Sequence, residues 1–397
     1  MVLKAFVLRL YPNKTQRNQI HVNFGCARFV WNQMLNMHIE RYKNNKKAKF
    51  QGRYSMDVML KALKIEYPWL KQAESTSLQR VNRDLDDAFQ RFFNHSLQNG
   101  FPRFKSKKNT NQRYTSKFVN NNIRIVDEHH IKLPKLGLVY FKAGRILNGK
   151  IRAVTVSVNS RKQYQASILV ESENQTFKKT KKSVGIDLGL KSLTVTSDGQ
   201  KEDILKVDDR LNKQLRIWER KKSRRYENAK KAMAFDEHDK VLFPRTDLKQ
   251  FPRYQQAVRT VAKLKRHIAE RRRDNLHKLT TRLVKDYDTI VVENLSVKNM
   301  MKNHHLSASI ANASWGTLIS QLKYKCAWYG KKLIIIDPKN TSRICHECKQ
   351  KNHEFDSLSQ SEWLAVREWD CPDCHAHLDR DVNAAKNILA KGLETLA

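Results

Sequence analysis

Val184-Gly185-Ile186-Asp187-Leu188-Gly189-Leu190 is the stretch from which the rest of the chain can be read. A short apolar run carries one acid and ends at glycine. Ser192 to Val195 keep strand character up to the turn dipeptide Asp198-Gly199, so the local expectation is a β-hairpin. A carboxylate inside a buried strand is costly unless a cation or a hydrogen-bond network holds it. Alone, Asp187 could simply cap a turn. Two acids further along favour a shared cation.

The first lies in Thr289-Ile290-Val291-Val292-Glu293-Asn294, a short buried-looking strand that ends in an acid. The second lies in Asp379-Arg380-Asp381-Val382-Asn383, at the start of the closing helix. A fold that gathers Asp187, Glu293 and Asp381 forms a carboxylate cluster, and three such charges repel one another unless divalent cations join them. Two Mg²⁺ ions roughly 4 Å apart would activate a water and stabilise the leaving oxygen in phosphodiester cleavage. Within the last motif, Asp379 is assigned to the helix cap and Asp381 to metal, with Asn383 supporting the site; the exchange of the two acids stays open.

Cys345-His346-Glu347-Cys348 and Cys371-Pro372-Asp373-Cys374 are two C-x2-C knuckles separated by 22 residues. Four thiolates so spaced can surround one tetrahedral Zn²⁺. The motif occurs twice, which disfavours a redox pair. His346 and His375 could each replace a thiol, but the four cysteines are the preferred ligands. A structural clip is the default role, ahead of nucleic-acid contact. Cys26 and Cys326 fall on expected helices and read as core.

Lys+Arg outnumber Asp+Glu 77 to 39 among 397 residues, a net charge of +38 spread along the whole chain. A body this positive gathers polyanions. With 12 Tyr, 16 Phe and 7 Trp among the basic residues, nucleic acid is the natural partner. No apolar run approaches the ~18 residues of a membrane span. The start MVLKAFVLRLYP lacks a signal peptide's apolar region, so a cytoplasmic protein with reduced thiols is expected, with no membrane partner.

From the N-terminus, Phe6, Leu8 and Leu10 share one face of a strand whose other face reads as partly buried. Asn13 and Gln16 stand at capping-box spacing, and Ile20, Phe24, Ala27, Trp31 and Leu35 recur at helical spacing. A helix from near Ser77 buries Leu78, Val81, Leu85, Phe89 and Phe92, leaving Gln79, Asn82, Arg83 and Asp86 on other faces. The basic loop Arg103 to Lys108 follows. Between Arg113 and Glu173 short alternating runs predict strands, with a small β-barrel that the first strand joins and residues 13–100 interrupt. Glu171 to Lys182 reads as a linker. Charged helices are expected over 203–233 and 254–286, with a loop at 234–253. Next come a polar segment from Ser296 to Ser314, a helix from Trp315 to about Tyr329, and a strand at Leu333–Asp337.

Taken together, the opening LRLYPNKTQ, FGCARFVWN, FPRFKSKKN, VGIDLGLKSL, RRRDNLHKLT, VVENL with SVKNMMKN, and the knuckles running into DRDVNAAKNIL resemble the TnpB (OrfB) proteins of insertion sequences, relatives of compact type V CRISPR effectors. The likeness covers nearly the whole chain. It implies a multidomain α/β protein: a RuvC-like nuclease of RNase H fold over 181–340 and 376–397, and a zinc ribbon over 341–375. It also implies a wedge β-barrel over 1–12 and 101–180, interrupted by a helical recognition lobe over 13–100. Asp187, Glu293 and Asp381 would be the catalytic acids of its three motifs. The implied activity is Mg²⁺-dependent, RNA-guided cleavage of double-stranded DNA beside a short adjacent motif, with a guide RNA from the transposon end. A monomer is favoured. Gln79, Asn82 and Arg83 on the third helix, with Arg103, Lys105, Lys107 and Lys108 in the basic loop, would meet the duplex or heteroduplex. Residues 296–314 would lie over the active site.

Two departures stand out. The family often has glycine after each knuckle, where this chain has Lys349 and His375, and the loop at 234–253 has no evident counterpart. A compact CRISPR effector and a nuclease-silent RNA-guided regulator are the alternatives. A self-sufficient transposase is disfavoured, since no His-hydrophobic-His pair with a downstream tyrosine is evident.

Overall fold

A computed structural model describes the chain except residues 98, 110, 143–147, 160–161, 175, 205–208, 232–247, 249, 303–306 and 396–397. Most of the loop expected at 234–253 therefore lies outside the described residues, as do residues 205–208 and 232–233 of the helix expected over 203–233 and part of segment 296–314; Asp203 itself ends a strand and is not in the expected helix's first turn. The chain forms two compact units, Met1–Glu173 and Asn174–Ala397, which divide inside the polar stretch 171–182.

The first unit runs β1 (Val2–Tyr11), α1 (Lys14–Asn44), α2 (Arg53–Glu66), α3 (Ser75–Phe93), β2 (Gln112–Lys117), β3 (Arg124–Ile125), β4 (His130–Leu133), β5 (Gly137–Lys142), β6 (Lys150–Val158) and β7 (Tyr164–Ser172). Its seven strands form one antiparallel sheet in the order β2-β6-β7-β1-β5-β4-β3, so the first strand does join the later ones. Among the described residues β2 and β3 are the edges of this ladder. Leu8 and Leu10 of β1 are buried, while Leu3 and Val7 are more than half exposed, so the second face is more open than the alternation suggested.

The α1 capping box forms: Asn13 Oδ1 accepts from the Gln16 amide at 2.9 Å, and Gln16 Oε1 accepts from the Asn13 amide at 3.0 Å. Ile20, Phe24 and Leu35 of α1 and Leu78 and Leu85 of α3 share one apolar core with Val154 and Ile168 of the sheet. α3 starts two residues earlier than expected because buried Glu74 caps it, accepting from the amides of Thr76 and Ser77 at 2.8 and 2.6 Å. Ser116 of β2 donates to the same carboxylate at 2.9 Å, which ties helix to sheet.

The second unit runs β8 (Ser183–Asp187), β9 (Ser192–Thr196), β10 (Lys201–Asp203), α4 (Asp209–Lys231), α5 (Pro252–Asp286), β11 (Thr289–Glu293), α6 (Val297–Met300), α7 (Ser307–Ala313), α8 (Trp315–Tyr329), β12 (Lys332–Ile336), α9 (Gln360–Ala365), β13 (Glu368–Asp370), β14 (His377–Asp379) and α10 (Arg380–Glu394). Five strands form a sheet in the order β10-β9-β8-β11-β12. β8, β11 and β12 are parallel, and β9 is antiparallel to β8 and β10.

Strand alternation then sorts the side chains. Val184, Ile186, Ile290 and Val292 pack with Leu279 and Leu283 of α5 and Leu318 and Leu322 of α8. The intervening positions meet α10, where Val291 packs with Ile388. This contact explains Gly185: a Cβ there would lie 2.1 Å from the carbonyl oxygen of Ala385. Gly392 answers it from the helix, since its Cβ would lie 2.3 Å from the Val291 side chain. Two glycines let α10 rest directly on the strands that carry the acids. No described helix is long and apolar enough to cross a membrane.

Candidate active site and metal centre

Ile186 of β8 lies opposite Val292 of β11, so Asp187 and Glu293 follow one another at the carboxyl ends of adjacent parallel strands. In open α/β sheets this is where ligands bind, at the point where the strand order reverses. Both acids sit two residues after a position covered by α10, and Asp381 lies in the first turn of that helix.

Burial raises the pKa of Asp187, the charges of Glu293 and Asp381 raise it further, and Arg380 opposes them; the result is a carboxyl pushed up to about 7. Burial also raises Glu293, against a hydrogen bond from Thr341 and the charge of Lys391. Glu293 is only 6 % exposed, and Thr341 Oγ1 donates to its Oε1 at 2.5 Å. Asp381 accepts from Arg380 Nε and Nη2 at 3.1 and 2.9 Å and faces Arg367 at 3.8 Å. Among the described residues only the four cysteines bring three or more candidate ligand atoms within 4.8 Å of one another. The described structure therefore does not bring the oxygens of Asp187, Glu293 and Asp381 together within 4.8 Å of one another. Asp187 feels the charges of the other two acids, while Glu293 and Asp381 each take a local partner.

Asp379 caps α10, accepting from the amides of Asp381 and Val382 at 3.0 and 2.9 Å, and pairs with Lys201 at 2.6 Å. Asn383 departs from its expected place beside the acids. It is buried against the first knuckle, where Oδ1 accepts from the His346 amide and Nδ2 donates to Ile344 O, both at 2.8 Å. One helical turn separates it from Asn387, which donates to the carbonyls of Thr341 and Ile344 at 3.0 and 2.6 Å. α10 therefore joins the acid site to the cysteine knuckles. Thr341, Arg380 and Asn387 were not singled out from sequence, since polar residues beside a knuckle or in a helix carry no pattern of their own.

Cys345 Sγ lies 3.7 Å from Cys374 Sγ, and Cys348 Sγ lies 3.6 Å from Cys371 Sγ. Zn–S bonds of about 2.3 Å in a tetrahedron put the sulfurs about 3.8 Å apart, so the four thiols fit zinc. His346 and His375 are outside this set. Lys349 and His375 both take left-handed backbone, with φ of 65° and 54°. Their amides donate to the carbonyls of Cys345 and Cys371 at 3.0 and 2.9 Å, closing each knuckle. Between the knuckles, Phe355, Trp363 and Trp369 form a small core with Leu378.

In the first unit, Gln79 and Arg83 are exposed on α3, as expected. Asn82 is not. It is fully buried and donates to Asp57 of α2 at 2.7 Å, because it lies one residue from Val81 on the packed side. The loop at Arg103–Lys108 is docked on α1. Trp31 Nε1 donates to Arg103 O at 3.0 Å, and the Asn32 amide brackets the Lys105 backbone at 2.8 and 3.0 Å. Lys105 Nζ sits 3.4 Å from the Trp31 ring centre, and desolvation there pushes its pKa down to about 8. Arg103, Lys105, Lys107 and Lys108 are all exposed.

Residues 315–388 match the family model described as "Cas12f1-like, TNB domain", residues 167–304 one described as "Probable transposase", and residues 1–47 one described as "Helix-turn-helix domain". A Streptomyces pristinaespiralis protein named "Putative RNA-guided DNA endonuclease" is 32% identical over 402 residues, covering 100% of this chain and 91% of the relative. "Putative RNA-guided DNA endonuclease InsQ" of Escherichia coli (strain K12) is 31% identical over 413 residues, covering 100% and 94%. The solved "Structure of the mini-RNA-guided endonuclease CRISPR-Cas_phi3" covers 98% of this chain and 92% of its own at 10% identity, with a TM-score of 0.40 too low to bear on the fold. From motifs and full-length likeness together, the chain belongs to the TnpB (OrfB) family of insertion-sequence-encoded RNA-guided nucleases.

Proposed function

We propose that this chain is an RNA-guided DNA endonuclease that hydrolyses phosphodiester bonds at Asp187, Glu293 and Asp381. The observation that carries the reading is Asp187 itself, at the end of a central strand, with a pKa pushed up to about 7 by burial and by those two charges. The three acids would hold two Mg²⁺ ions, which when bound activate a water and stabilise the leaving oxygen. The protein's own part is positioning. Thr341 fixes one oxygen of Glu293, and Asp379 anchors the helix start that carries Asp381. Cys345, Cys348, Cys371 and Cys374 would hold one Zn²⁺ as a clip, keeping Thr341 and α10 in register.

The partners in this reading are a guide RNA from the transposon end and target double-stranded DNA, cut next to a short adjacent motif. Base pairing supplies sequence choice, while a basic protein reads backbone and shape. The +38 charge supports that division. Residues 1–12 and 101–180 would be the wedge, 13–100 the recognition lobe, 181–340 and 376–397 the nuclease domain, and 341–375 the ribbon. Exposed Gln79, Arg83, Arg103, Lys105, Lys107 and Lys108 are the candidate contacts. The reading takes the protein as a monomer.

Asp187→Ala tests the reading. With purified ribonucleoprotein and Mg²⁺, it should abolish plasmid cleavage and leave RNA-dependent DNA binding intact. Cleavage by this variant near the wild-type rate would overturn the assignment.

A further inference from the structure

Gly25 stands in the interior of α1, where glycine is destabilising by about 1 kcal/mol relative to alanine. Its φ is not left-handed, and a Cβ built on it meets nothing within 4 Å. Neither backbone conformation nor packing among the described residues accounts for the glycine. Gly185 and Gly392 are pressed against neighbours; Gly25 faces open space.

That space is a groove of about 510 Å³ over the middle of α1, within the size range of ligand clefts. Gly25 lies in its wall with Arg28, Phe29, Gln33, Trp69 and Gln72, and among the described residues no acid lines it. Phe29 and Trp69 are 4.8 Å apart between ring centres in an edge-to-face pair, and Trp69 is 41% exposed. Tyr67 backs Phe29 from 4.9 Å. Arg28 makes no ion pair or side-chain hydrogen bond among the described residues. An aromatic wall, one uncommitted guanidinium and two side-chain amides on a strongly basic chain are the parts of a base-stacking site.

We infer that this groove receives an unpaired base of the bound RNA, stacked on Trp69 and Phe29 with its phosphate near Arg28, and that Gly25 is kept to leave room for it. The inference rests on the RNA-guided reading. Unpaired bases are the parts of an RNA that side chains can stack on and read.

The test uses the full chain and the RNA that copurifies with it. Gly25→Ala and Gly25→Leu should leave the melting temperature of the free protein unchanged or higher, yet weaken RNA binding. Trp69→Ala should weaken it about tenfold, the range of one lost base stack. Chemical probing of the RNA in the complex should show one unpaired nucleotide that loses protection in all three variants. A wild-type chain that holds RNA, with Gly25→Leu and Trp69→Ala holding it equally well and with the same footprint, overturns this inference alone. A wild-type chain that holds no RNA overturns the RNA-guided reading as well. Losses seen with single-stranded DNA and not with RNA overturn the assignment to RNA.

Discussion

Thr341 donates a 2.5 Å hydrogen bond to Glu293, and both side chains are buried. This bond runs from the base of the cysteine knuckles to a candidate metal ligand, so the segment carrying the knuckles fixes one side of the candidate site. A hydrogen bond to a charged group contributes about 1.5–3 kcal/mol, and about 1.4 kcal/mol is tenfold in rate. Thr341→Val should slow cleavage about tenfold or more with RNA affinity unchanged, and Thr341→Ser should recover most of the rate. Equal cleavage rates for Thr341→Val and wild type would detach the ribbon from the active site.

The same connection predicts what metal removal does. Metal analysis should give about one zinc per chain, consistent with a single four-thiolate site. The core of Phe355, Trp363, Trp369 and Leu378 is small, so it depends on the clip. Stripping zinc, or Cys371→Ser, should raise amide exchange across 341–379 and lower cleavage. The seven-stranded sheet of the first unit, with its own core, should keep its protection.

Much of this was legible because its signals are periodic or local. The Asp187 strand, the Glu293 strand and the Asp379 cap follow from apolar runs and from an acid before a helix. The knuckles follow from spacing. What sequence could not show was contact across the chain. Asn82 reads as a surface residue on α3, yet its partner Asp57 lies 25 positions away on another helix. Asn383 stands two residues from a metal-ligand candidate but turns to Ile344 and His346, because a helix sends neighbouring residues to different faces.

Lys349 and His375 occupy positions that glycine fills at lower cost. Both have positive φ, and non-glycine residues in left-handed backbone carry about 1 kcal/mol of strain. Neither belongs to the four-thiol set. Lys349→Gly and His375→Gly should each change the stability of the zinc-loaded protein by no more than about 1 kcal/mol in the favourable direction, after the unfolded chain's extra freedom is subtracted. Lys349→Val should destabilise it, since a β-branched side chain tolerates this region worst. Thermal unfolding of the zinc-loaded chain measures all three, and a lower midpoint for both glycine variants would show that the side chains make compensating contacts.

Under the proposed function, Asp187 would make metal binding depend on pH. Its ordinary pKa of 3.8 is raised to about 7 in the folded, metal-free chain. A raised carboxyl favours folding at low pH, where it is protonated, and that contribution is lost as pH climbs from about 4 through 7. Mg²⁺ needs the ionised form and must displace the proton, so each pH unit below 7 should weaken its binding about tenfold, with a plateau above. The rise in melting temperature produced by Mg²⁺ should therefore grow from pH 5.5 to 7.5 and then level off. Asp187→Asn should remove most of the rise and its pH dependence together. An Mg²⁺ effect of equal size at pH 5.5 and 8 would mean that Asp187 carries no proton for the metal to displace.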